Sequence, residues 1–204
     1  MSKPLGDFIP FIAPFVNGCP DPLIERAVRH AAIRLCERSA CWRATLPAID
    51  TVAGQAAYAV TPPEQSKVAR ILWAKLEGKE LEGATDDGLL ATELSRPEYY
   101  YWSTAEFILS PVPSQGTTAA LLIRAALKPT LDASELDAAI ADEYHDGFVH
   151  GALNELLSMH EAEWANLALA TSYGAMFQNE INRARRKAET GDSRITRTVA
   201  YGGF

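Results

Sequence analysis

The sequence predicts an α+β fold in which a helical bundle carries an antiparallel β subdomain and ends in an extended C-terminal tail. Apolar residues recur at helical spacing over residues 21–43 and 135–189, whereas short strand-like stretches separated by prolines fill the middle of the chain. The last residues, GDSRITRTVAYGGF, have no helical periodicity. The predicted parts are an extended N-terminal strap (1–20), the helical bundle (21–44 and 131–190), the β subdomain (45–130) and the tail (191–204).

The composition is that of an ordinary globular protein. With 204 residues, the chain can bury one good core, or one core and a small satellite. An apolar fraction of 48% and a charged fraction of 22% argue against disorder except at the ends. The net charge of -7 argues against binding of nucleic acid through bulk electrostatics.

The charges are unevenly distributed along the chain. Ten Asp or Glu residues and no Lys or Arg lie between Lys128 and Arg183, and six basic residues then follow within positions 183–197. One interpretation is a solvated acidic face and a basic helix end that suits the helix dipole. The other is a pair of surfaces of opposite sign that bind different partners.

Neither a disulfide framework nor a membrane anchor is expected. Cys36 and Cys41 lie five residues apart and do not share a helical face, and Cys19 is the third cysteine, which fits a reducing cytosolic origin. Residues 8–20 carry no charge, but three prolines interrupt them, so they are too short and too broken to span a membrane.

The first long helix is predicted to begin at Asp21, whose side chain can cap the free amides, with Pro22 at the first helical position. Its apolar stripe follows at helical spacing: Ile24, Val28, Ala31 and Leu35. Ile33 lies on the opposite, polar side, which indicates a neighbouring body.

Strands are predicted for the middle of the chain, and antiparallel pairing is favoured because no crossover helix separates them. The candidates are 45–52, 57–60, 68–76, 99–103, 106–110 and 118–127. Gly78 falls in the turn of one predicted hairpin, and a second hairpin turns near residues 104–105.

Two further helices are predicted, over about 139–159 and 163–189. Gly147 and Gly151 form a small notch on the first, where another helix can approach closely. The last helix carries a heptad seam of mostly small residues: Leu167, Ala170, Gly174, Phe177, Ile181, Ala184 and Ala188. A shorter stripe of Leu169, Tyr173 and Met176 lies on another side, so this helix is expected to contact two bodies, one of them another subunit.

Catalysis is not expected, because no catalytic motif is present. The one cluster that resembles a site combines His145 and His150 with Asp142, Glu143 and Asp146. Asp142 and His145 have the spacing of half a carboxylate-bridged metal site, but a second copy is missing. The chain has no nucleophile elbow, phosphate loop or dinucleotide fingerprint. We therefore expect no enzyme, no cofactor and no metal.

Several short segments carry a resemblance to a known family. They are GCPDPLIERAVRHAAIRLCERSACWR, Leu46-Pro47, the block that ends LSPVP at 109–113, LKPT at 127–130, and Glu143-Tyr144 leading to Gly151-Ala152-Leu153. Over residues 5–190 the chain resembles the head-to-tail adaptors of tailed bacteriophages, the gatekeeper or tail-tubular-protein-A-like group. The resemblance implies a ring, usually of twelve copies, that docks under the portal, surrounds the DNA channel and recruits the next tail component.

The resemblance also implies roles for particular residues. The expected portal-binding tail uses Arg194, Ile195, Arg197, Val199, Tyr201 and Phe204. The expected subunit interface comprises Ile33, Gly147, Gly151, Ala170, Gly174, Phe177 and Ile181. The expected channel lining is Asp142, Glu143 and Asp146.

The expected partners are further copies of the chain, the portal protein and a downstream tail or nozzle protein. DNA would pass without specific binding, and no membrane would be involved. The protein would be made in the host cytoplasm and reside in the virion neck. The alternatives are a tail-completion or other oligomeric structural protein and, less favoured, a hydrolase that uses the 142–150 cluster.

Overall fold

The computed structural model describes residues 2–85, 93–103 and 106–191. The chain divides into two compact units, a helical unit formed by both ends of the chain (residues 1–41 and 137–204) and a β unit (residues 42–136). Within the described residues the fold is mixed, with five helices and a curled β-sheet, so the predicted combination of helices and strands is confirmed.

The N-terminal segment is helical rather than extended, and the strap prediction is wrong on this point. After strand β1 (Ser2–Pro4) come a 3₁₀ turn (Leu5–Phe8), helix α1 (Ile9–Ile12) and a second 3₁₀ turn (Ala13–Phe15). Helix α1 and the second 3₁₀ turn each have a proline within their first two positions. A backbone N–H at these positions has no acceptor inside the helix, so proline, which lacks an N–H, costs no hydrogen bond there. The segment buries four side chains: Leu5, Phe8, Ile12 and Val16.

Helix α2 (Asp21–Ser39) has the predicted stripe, and its inner side chains are fully buried. Its N-cap is Pro20 and no side chain caps it, so Asp21 lies in the first turn, where its charge still suits the helix dipole. The helix ends at Ala40, which adopts a left-handed conformation (φ 52°) and donates its N–H to the carbonyl of Cys36 at 2.9 Å.

The second predicted helix is split at Tyr144 into α3 (Ala138–Glu143) and α4 (His145–Leu157). Asp137 caps α3 by accepting from the N–H groups of Ala139 (3.0 Å) and Ile140 (3.3 Å). Helix α5 (Leu167–Thr190) is capped by Asn166, which accepts from the N–H of Leu169 at 3.1 Å.

Glycines allow α4 to approach α2 and α5 closely. A Cβ built on Gly147 would lie 2.7 Å from Leu35 Cδ1, and one on Gly151 would lie 2.7 Å from Ala31 Cβ and 2.9 Å from the Phe177 ring. Between Ala170 and Ala184 the α5 seam is buried against these helices, except at the half-buried Gly174.

The β unit is built on one long strand, β11 (Thr117–Pro129). The other strands are β2 (Arg43–Thr45), β3 (Ile49–Thr51), β4 (Ala57–Ala59), β5 (Ser66–Leu76), β6 (Lys79–Gly83), β7 (Leu94–Ser95), β8 (Tyr99–Trp102), β9 (Glu106–Ser110), β10 (Val112–Pro113) and β12 (Glu135–Asp137). The main sheet has the order β2-β11-β5-β6-β8-β9-β4, and β3 also pairs with β11. Its inner face forms a core that includes Leu76, Phe107, Leu109, Leu121 and Ile123.

Both predicted antiparallel strand pairs are confirmed, while the turn predicted near residues 104–105 lies outside the described residues. The sheet is not purely antiparallel. Gly78 (φ +82°) lies in the turn between antiparallel β5 and β6, and β8 pairs antiparallel with β9. However, β6 pairs in parallel with β8, and β7 in parallel with β10. The residues between β6 and β8, 84–98, meet the minimum length of about a dozen that a parallel pair requires.

The two glycines of α4 provide a matched pair of substitutions. We expect Gly151→Ala to lower the free energy of unfolding by about 1–3 kcal/mol, because the Cβ of Ala31 and the ring of Phe177 leave no room for a methyl group. We expect Gly147→Ala to change it by less than about 1 kcal/mol, since the flexible end of Leu35 can rotate away and alanine favours the helix. Urea denaturation measures both, and equal losses would contradict this account.

Candidate interaction surfaces

The His and carboxylate cluster is used for packing and for surface ion pairs. The ring of His145 stacks on Phe8 (5.2 Å between centroids) and meets Phe11 edge-on (4.5 Å), and its Nδ1 lies 3.2 Å from Asp146 Oδ1. His150 lies beside Tyr173, with 5.7 Å between ring centroids. Across residues 2–85, 93–103 and 106–191, no group of three or more His, Cys, Asp or Glu side chains could hold a metal ion.

The thiols of Cys36 and Cys41 are neighbours, contrary to the sequence expectation. The hydrogen bond between them is the main reason that the pKa of the Cys36 thiol lies well above its usual value, and burial raises this pKa further. They meet because α2 ends at Ser39, and the left-handed Ala40 turns the chain back toward the last helical turn. All three cysteines are free.

The three predicted channel-lining carboxylates are exposed, but each has a partner. Lys3 Nζ lies 2.7 Å from Asp142, Lys187 Nζ lies 2.7 Å from Glu143, and His145 pairs with Asp146. The side-chain exposures of Asp142, Glu143 and Asp146 are 68%, 43% and 77%. Both lysines lie outside the acidic stretch of the sequence, so this surface is less negative than the sequence count indicates.

Glu155 is also neutralised from another helix. Its two carboxylate oxygens lie 2.9 Å from His30 Nδ1 and 2.9 Å from Arg34 Nη2, and its side chain is only 21% exposed. Arg34 in turn lies over the ring of Phe177, 5.6 Å from its centroid. This part of the acidic stretch therefore holds α4 to α2.

The glycine notch and the α5 seam are covered by the chain's own helices. The residues concerned are Gly147, Gly151, Ala170, Gly174, Phe177 and Ile181. At Gly174, for example, an added Cβ would lie 2.8 Å from the side-chain nitrogen of Asn154. The close approach that we predicted for a second subunit is thus made within one chain, and of the predicted interface residues only Ile33 and Gly174 are half-buried.

A different surface of the helical unit is apolar and exposed. Leu169 (43% exposed), Tyr173 and Met176 (47%) follow one another on α5, and Phe15 (49%) meets Tyr173 edge-on at 6.0 Å. With Phe11 (52% exposed), four residues before Phe15 in the helical N-terminal segment, these five residues form what we call the apolar patch. A group of exposed apolar side chains is a candidate interaction site. The α5 stripe predicted three of the five; the two phenylalanines were missed because the N-terminal segment was taken as extended.

The tail residues expected to bind the portal, Arg194 to Phe204, lie outside the described residues. Within the described part of the chain, no helix has both the length and the apolar composition that a membrane span requires.

A model of the SU10 adaptor protein family matches residues 4–200. The chain therefore belongs to the SU10 adaptor protein family, a family of phage head-to-tail adaptors. No curated protein matches the chain.

Family membership makes this chain a structural connector protein of a phage virion. It also implies contacts with portal and tail proteins, an oligomeric state and a position at the virion neck.

The apolar patch can be tested on the isolated protein. We expect the double variant Leu169→Ser and Met176→Ser to bind less of a hydrophobic fluorescent dye, because it removes the two most exposed side chains of the α5 stripe. Its free energy of unfolding should fall by only about 1–2 kcal/mol, since roughly half of each side chain is already exposed. The control is Thr171→Ser with Asn182→Ser on exposed positions of the same helix. Unchanged dye binding, or a large loss of stability, would show that the patch is not an accessible surface.

Proposed function

We propose that this chain is the ring-forming subunit of the phage neck, most simply as a dodecamer, which docks under the portal, surrounds the DNA channel and presents a face to the next tail or nozzle protein. The family match over residues 4–200 is the observation that carries this proposal. In this proposal the helical unit acts as a bundle around the channel, and the C-terminal tail reaches the portal. Synthesis takes place in the host cytoplasm before assembly.

The helical unit has a surface suited to assembly. The contacts of α4 with α2 and α5 close the seam of α5, whereas the apolar patch on a neighbouring face of α5 is available to a second body. Burial of apolar side chains is the main favourable term in most protein association. We assign the patch to a neighbouring subunit, and Ile33 and Gly174 are the members of the predicted interface that can contribute beside it.

The channel proposal assigns DNA passage to the acidic side of the helical unit. Asp142, Glu143 and Asp146 would line the channel, and their exposure supports this position. Lysines 3 and 187 reduce the local negative charge, so the repulsion of DNA would come mainly from repetition of Asp146 around the ring. Like-charge repulsion would prevent DNA from adhering as it passes.

This proposal predicts that the isolated protein has no measurable affinity for duplex DNA at physiological salt, because its net charge is -7. Fluorescence anisotropy with a labelled duplex measures it. Salt-sensitive binding would contradict the channel assignment. If removal of residues 192–204 abolished such binding, the basic tail would be its site.

The tail proposal is tested by deletion. We expect removal of residues 192–204 to abolish attachment to a purified portal ring, because Arg194, Arg197 and the scattered apolar residues would form the contact. The thermal stability of the chain should stay nearly unchanged, since the described core ends before this segment.

A pair of point variants sharpens this test. Tyr201→Ser with Phe204→Ser should weaken portal attachment measured by co-sedimentation, whereas Thr196→Ser with Thr198→Ser should leave it intact. If the truncated protein still docks, the portal contact must be made by another surface of the chain.

A further inference from the structure

The charged residues of the β unit are sorted by strand. β2, β5 and β11 lie side by side and carry six basic residues but no Asp or Glu. The six are Arg43, Lys67, Arg70, Lys75, Arg124 and Lys128. β6, β8 and β9, the next strands in the sheet, carry Glu80, Glu82 and Glu106 and one basic residue, Lys79.

The register places all six basic residues on the outer face of the sheet. Along β11, residues 121, 123, 125 and 127 belong to the core of the β unit, so alternation turns 122, 124, 126 and 128 to the other face. On that face Leu122 and Arg124 are exposed, Lys128 is half-buried and Ala126 is buried. Their direct partners share that side: Lys75 with Leu122, Trp73 with Arg124, Arg70 and Arg43 with Ala126, and Lys67 with Lys128. Two register shifts in the pairing of β5 with β11 bring residues 67, 70 and 73 to one face, although their spacing of three is not that of a regular strand.

This cationic face is accessible at three of its six basic residues. Lys67, Arg70 and Arg124 are exposed, whereas Arg43, Lys75 and Lys128 are half-buried. An anionic surface placed against the three exposed side chains would make favourable ion pairs with them.

The same sheet also carries such an anionic surface. Glu80 lies opposite Lys75, Glu82 follows two residues later, and Glu106 alternates with the buried Phe107, so all three point outward. All three are exposed. Because Glu80 is the direct cross-strand partner of Lys75, the acidic face adjoins the cationic face at the boundary between β5 and β6.

We propose that the cationic sheet face of one copy (β2, β5 and β11) docks on the acidic sheet face (β6 and β9) of the next copy. The inference deepens the proposed ring function and rests on it. A second copy fits better than nucleic acid, because the chain as a whole has a net charge of -7 and would repel a polyanion. Two different faces of one chain make a head-to-tail contact, and repeated contacts of this kind close into a ring.

The test is a charge exchange between two variants. Variant one, Arg70→Glu with Arg124→Glu, has two acidic faces; variant two, Glu80→Lys with Glu82→Lys, has two cationic faces. We expect the self-association of each to weaken at least about tenfold relative to the unmodified chain. An equimolar mixture should associate again, because each face then meets one of opposite sign. Sedimentation velocity at low ionic strength measures association, and circular dichroism confirms that each variant is folded.

The control is Arg26→Glu with Arg186→Glu, which makes the same charge change as variant one on exposed positions of the helical unit. It should associate like the unmodified chain. An unmodified chain that stays monomeric at low ionic strength, a mixture that does not associate, or a control as weak as variant one would each overturn the proposal. Salt-sensitive duplex binding lost only in variant one, without recovery in the mixture, would identify the face as a nucleic-acid surface instead. Portal attachment is measured separately through the tail, so its failure would leave the result of the mixing experiment unaffected.

Discussion

The close approach of α4 to α2 and α5 is the contact on which the helical unit depends. With only hydrogen atoms at positions 147 and 151, the helices come near enough for Asn154 to donate to the carbonyl of Ala170 at 2.8 Å and for Glu155 to reach Arg34. One side of α5 is therefore fully occupied within the chain. The exposed apolar side chains of α5, Leu169 and Met176, lie on a neighbouring face of the helix together with the half-buried Tyr173.

The two units differ in how their charges are distributed. In the helical unit, carboxylates from the acidic stretch are paired with bases that are distant in sequence, such as Lys3 with Asp142 and Lys187 with Glu143. Exposed pairs of this kind contribute little stability, but they remove net charge from the surface. In the β unit, charges of one sign are collected on neighbouring strands, so that the surface keeps its field.

Local patterns in the sequence predicted the elements well where one face is buried and the spacing is regular. The α2 stripe, the α5 seam and the Gly78 hairpin could be recognised because neighbours in sequence alone determine them. The helix that covers the seam could not be predicted. A stripe of small residues has the same sequence pattern whether the covering helix belongs to the same chain or to another copy. The cationic face was missed because irregular pairing of β5 with β11 changes the strand period between Lys67 and Trp73. The break at Tyr144 had no signal, as the apolar pattern continues through it.

The order of the units along the chain has a consequence for biosynthesis. The β unit is continuous from Trp42 to Leu136, whereas the helical unit needs residues from both sides of it. As the chain leaves the ribosome, the β unit is the first to have all its residues, and α2 must wait for α4 and α5 before its apolar stripe is covered. Helix α2 is thus the element most in need of protection by a chaperone during synthesis, although it is made before any part of the sheet.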